Sequence, residues 1–305
     1  MNKNRNKVAA MMMVAAITVS SVAMPVEAAV SSVESVGIES GNNVYEEGDI
    51  DLRKDIPDSR FREVIIEEAR NKNIQISKDG IIKKEDIEKF KSFKYAENVD
   101  EQINLSGIEK FTGLEWLWID YLGNSSLDLS NNTNLKMIRL RGNSCLEEIN
   151  LSGIKTLETL EINTTNMKSL DLSTNTGLKQ LQLLGDTSEL KKGLGYLKLN
   201  ENIKLDSYVP NEAQNTTVLV DNEKDKQIDL AKEFPGINPD DVILDPNQGV
   251  TKEGSIIKWD KVPKNPIRYT YRTQGKENGT LLYVRLYIED SYGTVSYTHL
   301  TLPTT

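Results

Sequence analysis

LDLSNNTNLKMIRLRGNSCLEEINLSGIKTLETLEINTTNMKSLDLSTNTGLKQLQLL, residues 127–184, keeps returning to an apolar pair with one residue between its members. Over 103–199 the pair occurs nine times: Ile103/Leu105, Leu117/Ile119, Leu127/Leu129, Ile138/Leu140, Ile149/Leu151, Leu160/Ile162, Leu170/Leu172, Leu181/Leu183 and Leu197/Leu199. From Leu117 to Leu181 the steps are 10, 11, 11, 11, 10 and 11 residues. Two steps make a unit of about 21 residues, the length of one coil of a solenoid. A single coil cannot bury its own leucine row, so neighbouring coils must stack into a shared core.

Within each half-unit the pair points inward and its neighbours point out, because side chains alternate along a strand. One set of half-units reads SLDLS (126–130), EINLS (148–152) and SLDLS (169–173), nearly constant, which marks a scaffold face. The other set reads WLWID (116–120), MIRLR (137–141), TLEIN (159–163) and QLQLL (180–184), and its outward residues change at every turn. A face that varies from coil to coil is where a partner is read, and exposed Trp and Arg anchor interfaces. The candidate ligand-binding residues are therefore Trp118, Asp120, Arg139, Arg141, Glu161, Asn163 and Gln182. Trp116 has two readings, exposed on this face or packed under an N-terminal cap. Asn132, Asn143 and Asn175, with Asp186, lie three residues past a second apolar position, where short polar side chains satisfy backbone groups at turns.

Both ends read differently from the middle. Met1 to Ala28 has a basic start (Lys3, Arg5, Lys7), an apolar run from Val8 to Ala23 and the exit Val26-Glu27-Ala28. This is the pattern of a secretory signal peptide cut before Ala29. The other reading is a retained anchor, but the run falls short of the roughly 20 residues that span a bilayer. At the far end, VSYTHLTLPTT (295–305) looks like the translation of a sequencing-library adaptor. On that reading the gene is cut at about Thr294, and neither His299 nor Leu302-Pro303-Thr304-Thr305 carries biological meaning.

Without these ends roughly 266 residues remain, enough for two or three domains. The formal charge is −9, and removing a leader with three bases and Glu27 leaves the mature chain near −11. Such a surface repels nucleic acid, and no basic stripe is present. The single cysteine, Cys145, allows no internal disulfide, so packing alone holds the fold; its place before Leu146 reads as a half-buried filler. With no His outside the tail and one Cys, the sequence offers no Ser-His-Asp set, no Cys-His pair and no zinc ligands. Asp and Glu total 46, yet no carboxylate pair stands in a distinctive motif. The chain reads as a non-enzyme without a cofactor.

Residues 29–49 read as a linker. From Ile50 the spacing turns helical: Pro57-Asp58-Ser59 starts a helix carrying Phe61, Val64, Ile65 and Ala69 on one face, and a second helix from about Lys83 turns Ile87, Phe90 and Phe93 inward. Between them Gln75, Ser77, Asp79 and Asp86 stand at the ligand positions of an EF-hand loop. Calcium prefers four acidic or amide ligands at such positions, and two carboxylates bind it weakly. The structural reading is preferred: residues 50–102 form a helical EF-hand-like cap over the end of the repeats at 103–206. From Ser207 short apolar runs alternate with Gly, Pro and Asn, as in Ile267–Thr273 and Leu281–Glu289, so 207–294 is expected to be a small antiparallel Ig-like β sandwich.

In this order the parts resemble bacterial surface leucine-rich-repeat proteins of the internalin-like kind found in Firmicutes. The resemblance runs from about Ile50 to Gly293. DIPDSRFREVI with SKDGIIKKEDI looks like that family's degenerate calcium-loop cap. INLSGIEKFTGLEWL looks like its first coil and LDLSNNTNLKMIRLRGN its repeat, while FPGINPDDVILDPNQGV with PIRYTYRTQG is similar to its following β module. The resemblance implies a mixed, β-rich fold and an exported, cell-wall-associated monomer that binds a host or neighbouring-cell molecule. The expected function is a surface binding or adhesion protein for a protein or glycan ligand, with no nucleic-acid partner and no membrane insertion of the mature chain. One alternative is the targeting arm of a larger secreted enzyme whose catalytic domain lies past the cut; a third reading is a plain spacer.

Overall fold

The computed structural model describes residues 45–96, 101–142, 144–163, 166–184, 193–210, 214–221 and 224–291, all within one compact unit, Gly41–Thr305. The expected signal peptide, most of the expected linker, the adaptor-like tail, Asn143 and Asp186 lie outside the described residues.

The N-terminal segment opens with β1 (Ile50–Asp51), α1 (Leu52–Asp55) and α2 (Ser59–Lys72). Helix α2 begins where the sequence places it: Asp58 Oδ1 accepts the Phe61 N–H at 2.9 Å, an N-cap that satisfies an otherwise unpaired donor. It ends at Asn73, which takes a left-handed φ of 54°. Strand β2 (Ile81–Ile82) pairs antiparallel with β1. The second helix, α3, covers only Lys84–Ile87. Phe93, expected on that helix, lies instead on β3 (Ser92–Tyr95), because the edge of the repeat sheet is open there and takes the segment as its first strand. Phe61, Phe90, Phe93 and Phe111 pack together, edge to face except for the tilted Phe90–Phe93 pair, with ring centroids 5.0–6.2 Å apart.

Packing also starts earlier than the expected linker boundary. Asp49 is buried; its carboxylate pairs with Lys83 Nζ at 2.9 Å and accepts N–H groups from Glu46 and Lys84 at 3.0 Å each. Burial pushes the Asp49 pKa up, but the bonds from Glu46, Lys83 and Lys84 outweigh it, and the net shift is below the ordinary 3.8. A depressed folded pKa contributes stability that is present above the ordinary value and is lost as pH falls through the folded one. Asp49→Asn should cost about 1.5–3 kcal/mol at neutral pH, through loss of charge-assisted bonds. Urea midpoints of variant and wild type should converge below pH 3.8; a gap that stays constant into acid refutes this.

The repeats form the body of the fold. Strands β4 (Trp116–Asp120), β6 (Met137–Arg141), β8 (Thr159–Asn163), β10 (Gln180–Leu184) and β12 (Ser207–Pro210) join β3 in one parallel sheet, ordered β12-β10-β8-β6-β4-β3. On the other side of the coils lie β5 (Ser126–Asp128), β7 (Glu148–Asn150), β9 (Ser169–Leu172) and β11 (Tyr196–Leu199), paired as β5-β7 and β9-β11. Leu117, Ile138, Leu160 and Leu181 stand in register across the front sheet, each at most 1% exposed. Every coil therefore places the same leucine row against its neighbours. Asn132 and Asn175 are fully buried and each donates to two carbonyls of the preceding coil: Ile108 O and Phe111 O at 2.9 Å, and Leu151 O and Ile154 O at 2.8 and 3.0 Å. This is the turn role the sequence assigns them. Just before the front strands Lys91, Glu115, Lys136, Glu158 and Lys179 alternate in sign, with ion pairs Lys91–Glu115, Lys136–Glu115 and Lys179–Glu158. Opposite charges one coil apart oppose slippage of one coil on the next.

After β12 come β13 (Gln214–Val220), β14 (Gln227–Asp229), α4 (Leu230–Glu233), β15 (Val242–Leu244), β16 (Val250–Glu253), β17 (Ile256–Trp259), β18 (Ile267–Arg272) and β19 (Leu281–Asp290). They form two sheets, β13-β19-β18-β15 and β14-β17-β16. The expectation of a purely antiparallel arrangement needs correction, because β13 and β19 run parallel over seven residue pairs. Parallel neighbours need a long crossover, and β14 to β18 supply it.

Candidate functional site

The outward side chains of the front sheet stand in rows, because the parallel strands keep one register. The middle row reads Lys94, Trp118, Arg139, Glu161, Gln182 and Val209. Trp118 is the centre of an ionic array. Lys94 Nζ lies 4.7 Å from its ring centroid and the Arg139 guanidinium 4.6 Å from it, contributed by the strands on its two sides. Its indole N–H donates to Asp120 Oδ1 at 3.1 Å. Cations are held to an indole by its electron-rich face, so Trp118 acts as a post that fixes two positive groups.

Arg139 continues the array. Its Nε donates to Glu161 Oε2 at 2.6 Å, while Arg141 Nε and Nη2 donate to Oε1 at 2.8 and 2.6 Å. Glu161 is only 7% exposed. The exposure expected of this outward candidate is corrected: the two longer arginine side chains close over it, and it is their shared counter-ion. Trp118 is likewise half-buried under its cations rather than open.

The remaining candidates divide. Asn163 is half-buried and its Oδ1 accepts the Gly142 N–H at 3.3 Å, tying one coil to the last. Gln182 is half-buried on the middle row. The row beside it reads Ser92, Trp116, Met137, Thr159, Gln180 and Ser207. Trp116 is 48% exposed, which decides between its two readings. Sequence reasoning misses Lys94, because the spacing of Phe90 and Phe93 suits a helix; the alternation in Ser92-Phe93-Lys94-Tyr95 is the available signal.

On the opposite side, an open groove of about 430 Å³ lies where β7 and β9 are not paired, lined among others by Asp128, Asn150 and Asp171. Each of these spends an Oδ1 on the N–H two residues on, Ser130, Ser152 and Ser173, at 2.8–3.1 Å. These are turn-closing bonds. The Ser130 hydroxyl and then its N–H hold the Asp128 carboxyl below its ordinary pKa, against burial.

In the loop with EF-hand spacing, Ser77 Oγ accepts the Ile81 N–H at 3.0 Å, Asp86 pairs with Lys89, and Gln75 and Asp79 face solvent. Among the described residues no group of three or more His, Cys, Asp or Glu is placed to hold a metal ion. Cys145 is half-buried beside Gln102. No described helix is long and apolar enough to cross a membrane.

No protein-family model matches the chain, and no curated protein matches it. Among solved structures it is similar to three proteins of Listeria monocytogenes. The functional domain of InlJ, which includes a cysteine ladder, is 18% identical with a TM-score of 0.31, over 60% of this chain and 45% of that one. The internalin inlF is 22% identical with a TM-score of 0.33, over 56% and 52%. InlP is 14% identical with a TM-score of 0.22, over 81% and 100%. The chain spans about half the length of the first two structures. The described residues of this chain form a β-solenoid of stacked parallel strands.

Proposed function

We propose that this protein is an exported, cell-surface binding protein that attaches to a protein or glycan through the front face of its repeats. The N-terminal helical segment serves as a cap for the first coil, and the C-terminal sheets as an Ig-like module that carries the repeats. The observation that bears the proposal is the array around Trp118. Lys94, Arg139 and Arg141 are held in fixed positions by an indole and a buried carboxylate, beside the exposed Trp116. Stacking is already served by the ion pairs just before the front strands, and ordering these further long side chains on the outside costs rotamer entropy. The back strands, nearly constant in sequence, spend their polar groups on turns.

The test is attachment to a ligand found on a protein and glycan array. Trp118→Ala releases Lys94 and Arg139 together, and Arg139→Glu sets a second carboxylate against Glu161. Each should weaken binding by about 30-fold or more, the loss typical of an interface anchor, with an unchanged circular dichroism spectrum. Full attachment by both folded variants would falsify the assignment of this face.

A further inference from the structure

The front face also carries information about the class of ligand, given the binding role proposed above. On a chain of formal charge −9, the middle row and the row of Asp120 and Arg141 beside it carry three cations, Lys94, Arg139 and Arg141, against the carboxylates Asp120 and Glu161. Glu161 is committed to both arginines through Nε and Nη2 contacts. Lys94 is exposed and, among the described residues, rests on an indole rather than on a carboxylate. Next to these cations stands a flat aromatic surface: Trp116, 48% exposed, is a diagonal neighbour of both Lys94 and Arg139, within about 7–8 Å on a sheet. The same row continues with half-buried Thr159 and exposed Gln180, which supply hydroxyl and amide groups.

We infer that this face binds an anionic saccharide, a sugar chain bearing carboxylate or sulfate groups. One sugar ring lies on Trp116, and an acidic substituent meets Lys94 or Arg139, the diagonal neighbours of Trp116 on its two sides. A pyranose ring has an apolar C–H face that suits the negative face of an indole. Its acidic group gains charge-assisted bonds from whichever of the guanidinium and the ammonium it meets, each already held in place. An acidic peptide fits less well, because its carboxylate side chains offer no ring face to the exposed Trp116. Trp118 takes no part in stacking, since its two faces hold cations.

The experiment is calorimetric titration of the mature chain with four probes of matched length: a heparin-derived oligosaccharide, an oligogalacturonate, a neutral malto-oligosaccharide and poly-glutamate. The sulfated and carboxylated probes separate the two sources of charge. At least one of them should bind saturably, about tenfold or more tighter than the neutral sugar and poly-glutamate, and weaken as salt rises. Trp116→Ala should cost about tenfold, and Lys94→Gln with Arg139→Gln should remove most of the salt dependence. Three results overturn the inference: equal binding of the neutral sugar, equal binding of poly-glutamate, or anionic binding indifferent to these variants. Should an array ligand that is neutral or a protein still be lost in Trp118→Ala, the binding role stands and only the ligand class falls. If no front-face variant changes any attachment, both fall.

Discussion

Leu160→Asp is expected to unfold the repeats at neutral pH and room temperature. Leu160 lies on β8 between Ile138 and Leu181, and all three are at most 1% exposed. Losing the leucine forfeits about 1.5–3 kcal/mol of apolar burial. The new carboxylate meets no cation inside the row, and an unpaired buried ion costs several kcal/mol more. Against a typical total of about 5–15 kcal/mol, that sum is most of the stability. In a stack each coil is held by its neighbours, so the loss spreads along the solenoid instead of ending at one strand. Circular dichroism and limited proteolysis should show loss of the strand signal and cleavage within 103–206. Leu160→Met, which nearly conserves volume, should cost less than about 1.5 kcal/mol. A Leu160→Asp protein with the wild-type urea midpoint would mean that these leucines do not form the core.

The spacing of the apolar pairs was enough to place every strand from β4 to β11 and to separate a front face from a back face, because a period of two residues inside a period of 21 has few other solutions. Local windows did less well. Phe90 and Phe93 are three apart, which suits a helix, while Ser92-Phe93-Lys94-Tyr95 also suits a strand. Four residues do not choose; the open edge of β4 does, and that edge is a tertiary fact. The burial of Glu161 was hidden for a related reason. Alternation correctly puts it on the outward side, but outward is not exposed when two arginines reach across from β6. The signal was nonetheless present, since Arg139 and Arg141 stand 22 and 20 residues before Glu161, one coil away. The parallel pairing of β13 with β19 had no local signal at all, because both orientations use the same alternation.

Gly195→Ala is the second substitution with a large expected effect, and it acts where the solenoid meets the C-terminal sheets. Gly195 is buried beside Leu194 and Tyr196 in the last coil, with its N–H on Lys168 O at 2.8 Å. A Cβ there would lie 2.1–2.6 Å from three ring atoms of Phe234, which is fully buried just after α4. The ring cannot swing away, so backbone must move. Overpacking of this kind costs about 1–3 kcal/mol and sometimes more. The same residue's carbonyl accepts the Tyr269 hydroxyl at 2.7 Å, and burial pushes the Tyr269 pKa up, which keeps the phenol a donor at neutral pH. Tyr269→Phe leaves that carbonyl without its partner, at about 1–3 kcal/mol. The two changes share Gly195, so their effects in the double variant should not add. Gln274 Nε2, bonded to Asn200 O and Ile203 O at 2.9 Å, and the Tyr196–Tyr271 ring contact brace the same junction. Wild-type protein should therefore melt in urea as one transition, and Gly195→Ala should lower the midpoint and split the curve, the C-terminal sheets separating from the repeats. A single unshifted transition in the variant would mean that the junction yields without cost, and two transitions already in the wild type would mean that the two parts are stable independently.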